Sequence, residues 1–210
     1  GKWLTTDPLG YPDGWNNFAY CNNATTLFID WQGTEVRLCQ RSLFYSNNTF
    51  NHTWLDLNPD NPADFSNNRQ LNPLDSPNRN RGTVSGMPDA SGGSSGSVGG
   101  GSGTRGDNLI SSPNADIPYS NSDGDNFIII PTPEGMTDTE FINAILNAQN
   151  KYDNDSPLPY AGVPGSETFN SNSFIAGILN ALGFDGTDLV NSLPGLQPGA
   201  GNPVPTRRFE

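Results

Sequence analysis

Histidine and cysteine are nearly missing from this chain of 210 residues, which holds one histidine, His52, and two cysteines, Cys21 and Cys39. Two thiols allow one disulfide at most and exclude both a disulfide scaffold and a four-thiolate zinc site. A single histidine means that any imidazole chemistry must run through His52. Basic residues are scarce too: 10 Lys and Arg stand against 22 Asp and Glu, a net charge of −12. A field of that sign repels phosphate backbones and anionic lipid surfaces, so no nucleic acid is expected as a partner. Long apolar runs are also absent. The longest candidate, residues 127–131, falls far short of the roughly 18 residues that cross a bilayer, and no basic-then-apolar signal pattern opens the chain. The expectation is a soluble chain with no membrane span, any export signal lying outside this segment.

Apolar residues make up 33% of the chain, against about 45–50% in ordinary globular proteins. What fills the space is glycine (24), proline (18) and asparagine (27), so much of the chain must be loop. The length suits one domain with or without a small appended module.

Residues 1–33 are turn-dense and aromatic, with Trp3, Tyr11, Trp15, Phe18, Tyr20, Phe28 and Trp31 set among Asp-Pro and Asn-Asn pairs. So short a segment cannot bury those rings alone and reads as the end of something larger. From residue 36 the pattern changes. Val36–Leu43 alternates apolar with polar, His52–Leu57 does so less cleanly, and the polar stretch between them predicts a hairpin. Residues 58–120 are expected to be mostly irregular, and 91–106 to be a flexible linker, since 12 of the 13 residues at 91–103 are Gly or Ser. Phe127–Ile130 predicts a short buried strand. A helix is predicted over Asp138–Tyr152, capped by Thr137 with Glu140 closing a capping box and Phe141, Ile142, Ile145, Leu146, Gln149 and Tyr152 on one face. A second is predicted over Ser171–Leu182, capped by Asn170 or Asn172 and stopped by Gly183, with a Pro/Gly-rich tail after Asp188. The fold class expected is α+β, a small antiparallel sheet packed by two helices.

The first 33 residues carry Lys2-Trp3-Leu4, Asp7-Pro8-Leu9-Gly10, Asn16-Asn17, Tyr20 and a closing Asp30-Trp31-Gln32-Gly33. In that order they resemble the end of the RHS-repeat-associated core. The resemblance implies that residues 1–33 end a large bacterial β-cocoon protein and that 34–210 is its variable C-terminal domain, often a polymorphic toxin. It further implies secretion or cell-surface delivery, the rest of the β-cocoon as a partner, and an immunity protein. In the family two aspartates form an autoproteolytic pair, which would here be Asp7 and Asp30, cutting near Gly33-Thr34. Paired carboxylates sharing one proton suit such work. Trp31 and Thr34 depart from the family's Pro and Leu, and turn capping by Asx hydrogen bonds accounts for both aspartates equally well.

His52 opens a strand, and Phe169-Asn170-Ser171-Asn172-Ser173-Phe174 opens a helix far downstream. A nucleophile at a helix start gains from the positive end of the dipole and from unpaired N–H groups. The two segments resemble the permuted papain-like hydrolases, such as the PPPDE peptidases and the lecithin–retinol acyltransferase group, in which a strand His activates a helix Cys. His52 would be the base, and Ser171 stands where the Cys would be. The resemblance implies a hydrolase acting on an amide or ester, although serine ionises far less readily than a thiol. Against it stands a plain reading, a strand histidine and a helix-capping serine. Cys39 reads as a small hydrophobe in a strand. Asn121–Asn126 has oxygen donors at alternate positions but no distal bidentate Glu, so no metal and no cofactor is expected. Three Asn-x-Thr triplets, at Asn23, Asn47 and Asn51, arise by chance in so Asn-rich a chain. Two functional classes remain: an RHS-delivered hydrolase built on His52 and Ser171, and a non-catalytic binding or structural tip domain.

Overall fold

The computed structural model describes residues 35–43, 50–59, 61–72, 81–89, 108–117 and 127–210. The chain divides after Thr34 into two units, Gly1–Thr34 and Glu35–Glu210, and all the described residues belong to the second.

The fold is α+β. Strands β1 (Glu35–Ser42) and β2 (Asn51–Asn58) pair antiparallel along their whole length, Val36 opposite Leu57 and Arg41 opposite His52. β3 (Gly82–Val84) adds to the far side of β2. The short strands β4 (Gly86–Pro88) and β5 (Asn108–Ser111) pair in a second sheet. β6 (Phe127–Ile130) returns to the first sheet beside β1, giving the order β3-β2-β1-β6. The second sheet runs β4-β5-β7, with β7 at Leu158–Pro159.

Each helix starts where a side chain satisfies its first N–H groups. Helix α1 (Asp138–Lys151) is capped by Thr137, whose hydroxyl accepts from Glu140 N while Glu140 returns a bond to Thr137 N, the expected capping box. The six residues predicted for its inner face are buried. For α2 (Ser171–Ala181) the cap is Asn170, whose Oδ1 accepts from Ser173 N at 3.1 Å. Gly183 ends it at φ +88°, where a Cβ would be strained. A third helix, α3 (Gly186–Ser192), follows on Asp185, so the chain beyond Asp188 is not simply tail.

Helix α2 is buried on all sides through Leu179 because it sits between β2, β4, α3 and the C-terminal segment. Close approach is possible where it carries glycine: a Cβ on Gly177 would lie 2.5 Å from Val204 O. Phe174 reaches Tyr152 and Phe209 edge-on at 5.1 and 5.3 Å, and Tyr152 donates to Leu109 O at 2.8 Å. Val36, Leu38, Leu55 and Leu57 close this core from the sheet side.

Phe127–Ile130 is a strand as predicted but not a buried one. Among the described residues it is an edge strand of its sheet, as β3 is at the other end, and only alternate residues face the core: Ile130 is buried while Phe127 and Ile129 are 45% and 58% exposed. The predicted irregularity of 58–120 also leaves out what is ordered there, a 3-10 turn at Pro62–Phe65 and strands β3, β4 and β5. No helix among the described residues is long and apolar enough to cross a membrane.

Candidate functional site

Side chains alternate between the faces of a strand, and β2 makes the two faces of the sheet chemically different. Leu55 and Leu57 point into the core, and in the same series Thr53 donates to Asn172 Oδ1 at 2.9 Å. Asn172 Nδ2 in turn donates to Asn51 O at 2.9 Å. Helix α2 is thus held to the sheet through Asn172. Gln40 extends the same face, donating to Pro194 O and accepting from Gln197.

The opposite face carries His52, Trp54 and Asp56 from β2, and by register three rows form across the strands. Thr83, Asp56, Arg37 and Ile129 make one row; Trp54, Cys39 and Phe127 the next; His52 and Arg41 the third. His52, Trp54, Asp56, Cys39 and Thr83 are all buried, so β2 is covered on both sides.

His52 Nε2 lies 3.0 Å from Asp116 Oδ1, and both side chains are buried. Asp116 arrives from a turn that Asn114 builds. Asn114 adopts φ +63°, a conformation asparagine tolerates better than most residues. Its Oδ1 accepts from Thr83 N, its Nδ2 donates to Gln70 O, and its own N donates to Thr83 O. With the turn clamped to β3, Asp116 N donates to Thr83 Oγ1 at 3.3 Å and its carboxylate faces His52. Arg41 Nε stands 3.8 Å from the same carboxylate oxygen.

Burial pushes the Asp116 carboxyl up, but the charge and hydrogen bond of His52, the Ser85 hydroxyl and the Arg41 guanidinium outweigh it, and the group ionises below its ordinary value. An ionised carboxylate only accepts, so Nε2 carries the proton it donates. In the neutral ring the lone pair is then on Nδ1, the nitrogen left to act as a base. The His52 ring also stacks on Trp54, with centroids 5.9 Å apart and planes 23° from parallel. Hydrogen bond and stacking together fix the ring's orientation, which is the arrangement of an imidazole base held by a carboxylate.

The structure does not bring His52 and Ser171 together. Ser171 is the first residue of α2 and is buried with it, and α2 meets the face of β2 that Thr53 occupies. His52, one residue away, leaves by the other face, so the sheet separates imidazole from hydroxyl. Asn172, weighed as a cap, is the residue that ties helix to sheet. Asp7 and Asp30 lie outside the described residues, as do Asn121–Asn126 and the triplets at Asn23 and Asn47. Asn51 is buried and donates to Pro194 O, which closes its triplet to modification. Among the described residues no three His, Cys, Asp or Glu side chains gather to hold a metal ion.

Sequence reasoning missed Asp116. It lies 64 residues from His52 in Pro113-Asn114-Ala115-Asp116, with no periodic pattern around it. The one available signal was the Pro-Asn pair, which marks a turn able to aim a side chain. Cys39, expected as a small hydrophobe, is buried and shares the polar face with His52. Compared with protein-family models, curated proteins and solved structures, the chain matches none.

Proposed function

We propose that this chain is the C-terminal effector or toxin domain of an RHS-repeat protein and that it hydrolyses an amide or ester with His52 as general base and Asp116 as the residue that positions it. The RHS part of the reading rests on the motifs in residues 1–33. The hydrolase part rests on one observation, the buried hydrogen bond between His52 and Asp116. A carboxylate taken out of water costs several kcal/mol before any attraction is counted, and apolar residues of similar volume often serve stability equally well. A base held in one tautomer and one orientation is what acid–base catalysis requires. Secretion or surface delivery, the remainder of the β-cocoon and an immunity protein belong to the same proposal.

A second reading, a non-catalytic binding or structural tip domain, has its own support in Phe127 and Ile129, two large apolar side chains exposed side by side on the outer strand. In that reading the His52–Asp116 bond only ties the 112–117 turn to the sheet.

The two separate on expression of the whole 210-residue chain from a tightly repressed promoter, in the cytoplasm and with an added export signal. The hydrolase reading predicts growth arrest by the wild type and none by His52→Gln, a variant whose circular dichroism and melting stay near those of the wild type. Arrest that His52→Gln leaves intact refutes the catalytic role. No arrest in either compartment favours the binding domain.

A further inference from the structure

We infer that Cys39 is the nucleophile His52 serves and that the substrate presents an apolar acyl group to it. The inference rests on the hydrolase reading and supplies the partner that Ser171 does not.

The register carries the placement. Cys39 in β1 stands directly opposite Trp54 in β2, while Arg41, two residues on, stands opposite His52. Cys39 and His52 are therefore diagonal neighbours on one face, a relation that sets Cβ atoms within roughly 7–8 Å and side chains within reach of each other. The thiol forms no disulfide, and its Sγ lies 3.9 Å from Arg37 O. A thiol ionises far more readily than a serine hydroxyl, so the imidazole has less to do.

Two independent features of the same row point to a ligand. Trp54 is fully buried, yet its indole Nε1 has no hydrogen-bond partner among the described residues. A buried donor without a partner costs free energy that a native fold normally recovers. Trp54 stands directly across the strand pair from Cys39, and its unpartnered donor would serve to hold the oxyanion that forms when the thiolate attacks a carbonyl. On the other side of Cys39 stands Phe127 of β6, with Ile129 beyond it, both exposed. Those two side chains offer an apolar surface beside the thiol that suits an acyl chain, with the Arg37 guanidinium 4.7 Å over the Phe127 ring.

The chemistry closes with water as the one co-reactant. His52, at the nitrogen not bonded to Asp116, takes the proton of the Cys39 thiol, and the thiolate attacks the acyl carbon. A C–S bond forms and the ester C–O or amide C–N bond breaks, the departing alcohol or amine taking the proton back from His52. Water then loses a proton to His52 and attacks the thioester. The C–S bond breaks, the carboxylic acid leaves, and the thiolate takes the proton back from His52.

Tryptic digestion isolates the thiol, because Arg37 and Arg41 flank it and release Leu38-Cys39-Gln40-Arg41 as one peptide, apart from Cys21. The intact 210-residue chain is treated with p-nitrophenyl butyrate at neutral pH, quenched in acid, digested and weighed. The result expected is a burst of nitrophenol and a butyryl adduct on that peptide. His52→Gln should slow both the burst and iodoacetamide alkylation of Cys39 about tenfold. Trp54→Phe should slow the burst about 100-fold and leave alkylation unchanged, since phenylalanine keeps a ring to stack on His52 and loses the oxyanion donor. A burst without a Cys39 adduct, or alkylation of Cys39 equally fast in His52→Gln, overturns the inference. Growth arrest separates the two levels of the argument. Arrest lost in His52→Gln and kept in Cys39→Ala refutes Cys39 and leaves the hydrolase standing; arrest kept in both refutes both.

Discussion

A carboxylate with no solvent exposure stays ionised only where neighbouring groups repay its lost hydration, and Asp116 has His52, Arg41 and Ser85 to do so. The consequence is a dependence of stability on acidity with a fixed sign. The native carboxyl ionises below its ordinary value of 3.8, so in falling pH the unfolded chain binds the proton first. Its contribution to stability is complete above that value and is lost as the pH drops through the lower native value. Urea unfolding of the wild type and of Asp116→Asn should differ most at neutral pH, by about 2 kcal/mol for a hydrogen bond to a charged group. The difference should narrow as the pH falls below the ordinary carboxylate value, and a gap that stays constant into acid would count against an ionised native Asp116. At this scale the sequence revealed half of the pair. His52 was legible because no other histidine competes with it; Asp116 was not, because a turn made by Asn114 brings it from 64 residues away.

Elements were legible in proportion to their length and their caps. The capping box of α1 and the apolar stripe of α2 are local signals, read directly from residue spacing, and the structure has both. Strands of two to four residues such as β4, β5 and β7 carry too few positions for alternation to register. For β6 the run Phe127-Ile128-Ile129-Ile130 suggested burial on both faces, but composition alone does not reveal which strand ends up outermost. A pair of substitutions measures the difference between its two faces. Ile130→Ala should cost about 3 kcal/mol, as a buried aliphatic truncation does, while Ile129→Ala should change stability by less than about 0.5 kcal/mol. Equal losses at the two positions would mean that β6 is covered on both sides.

At the scale of the whole molecule, alternating antiparallel strands commonly pack one face and wet the other, since polar residues at every second position usually meet water. Here both faces of β2 are buried, and the polar series holds His52, Trp54 and Asp56 rather than solvated side chains. That second buried face is why the α+β architecture could be read while the site could not. One face of β2 builds the fold by packing on α2, and the other collects the groups with chemistry. The resemblance that paired His52 with Ser171 placed the base on the wrong side of the sheet for its partner.

The comparison that tests this division most directly is the growth arrest produced by Asp116→Asn and by Ser171→Ala in the full 210-residue chain, each read beside its melting temperature. With the working face on the far side of the sheet from α2, Asp116→Asn abolishes the arrest while remaining folded, and Ser171→Ala keeps it. Loss of arrest in a folded Ser171→Ala, with Asp116→Asn still active, would contradict the account and return the nucleophile to the start of α2.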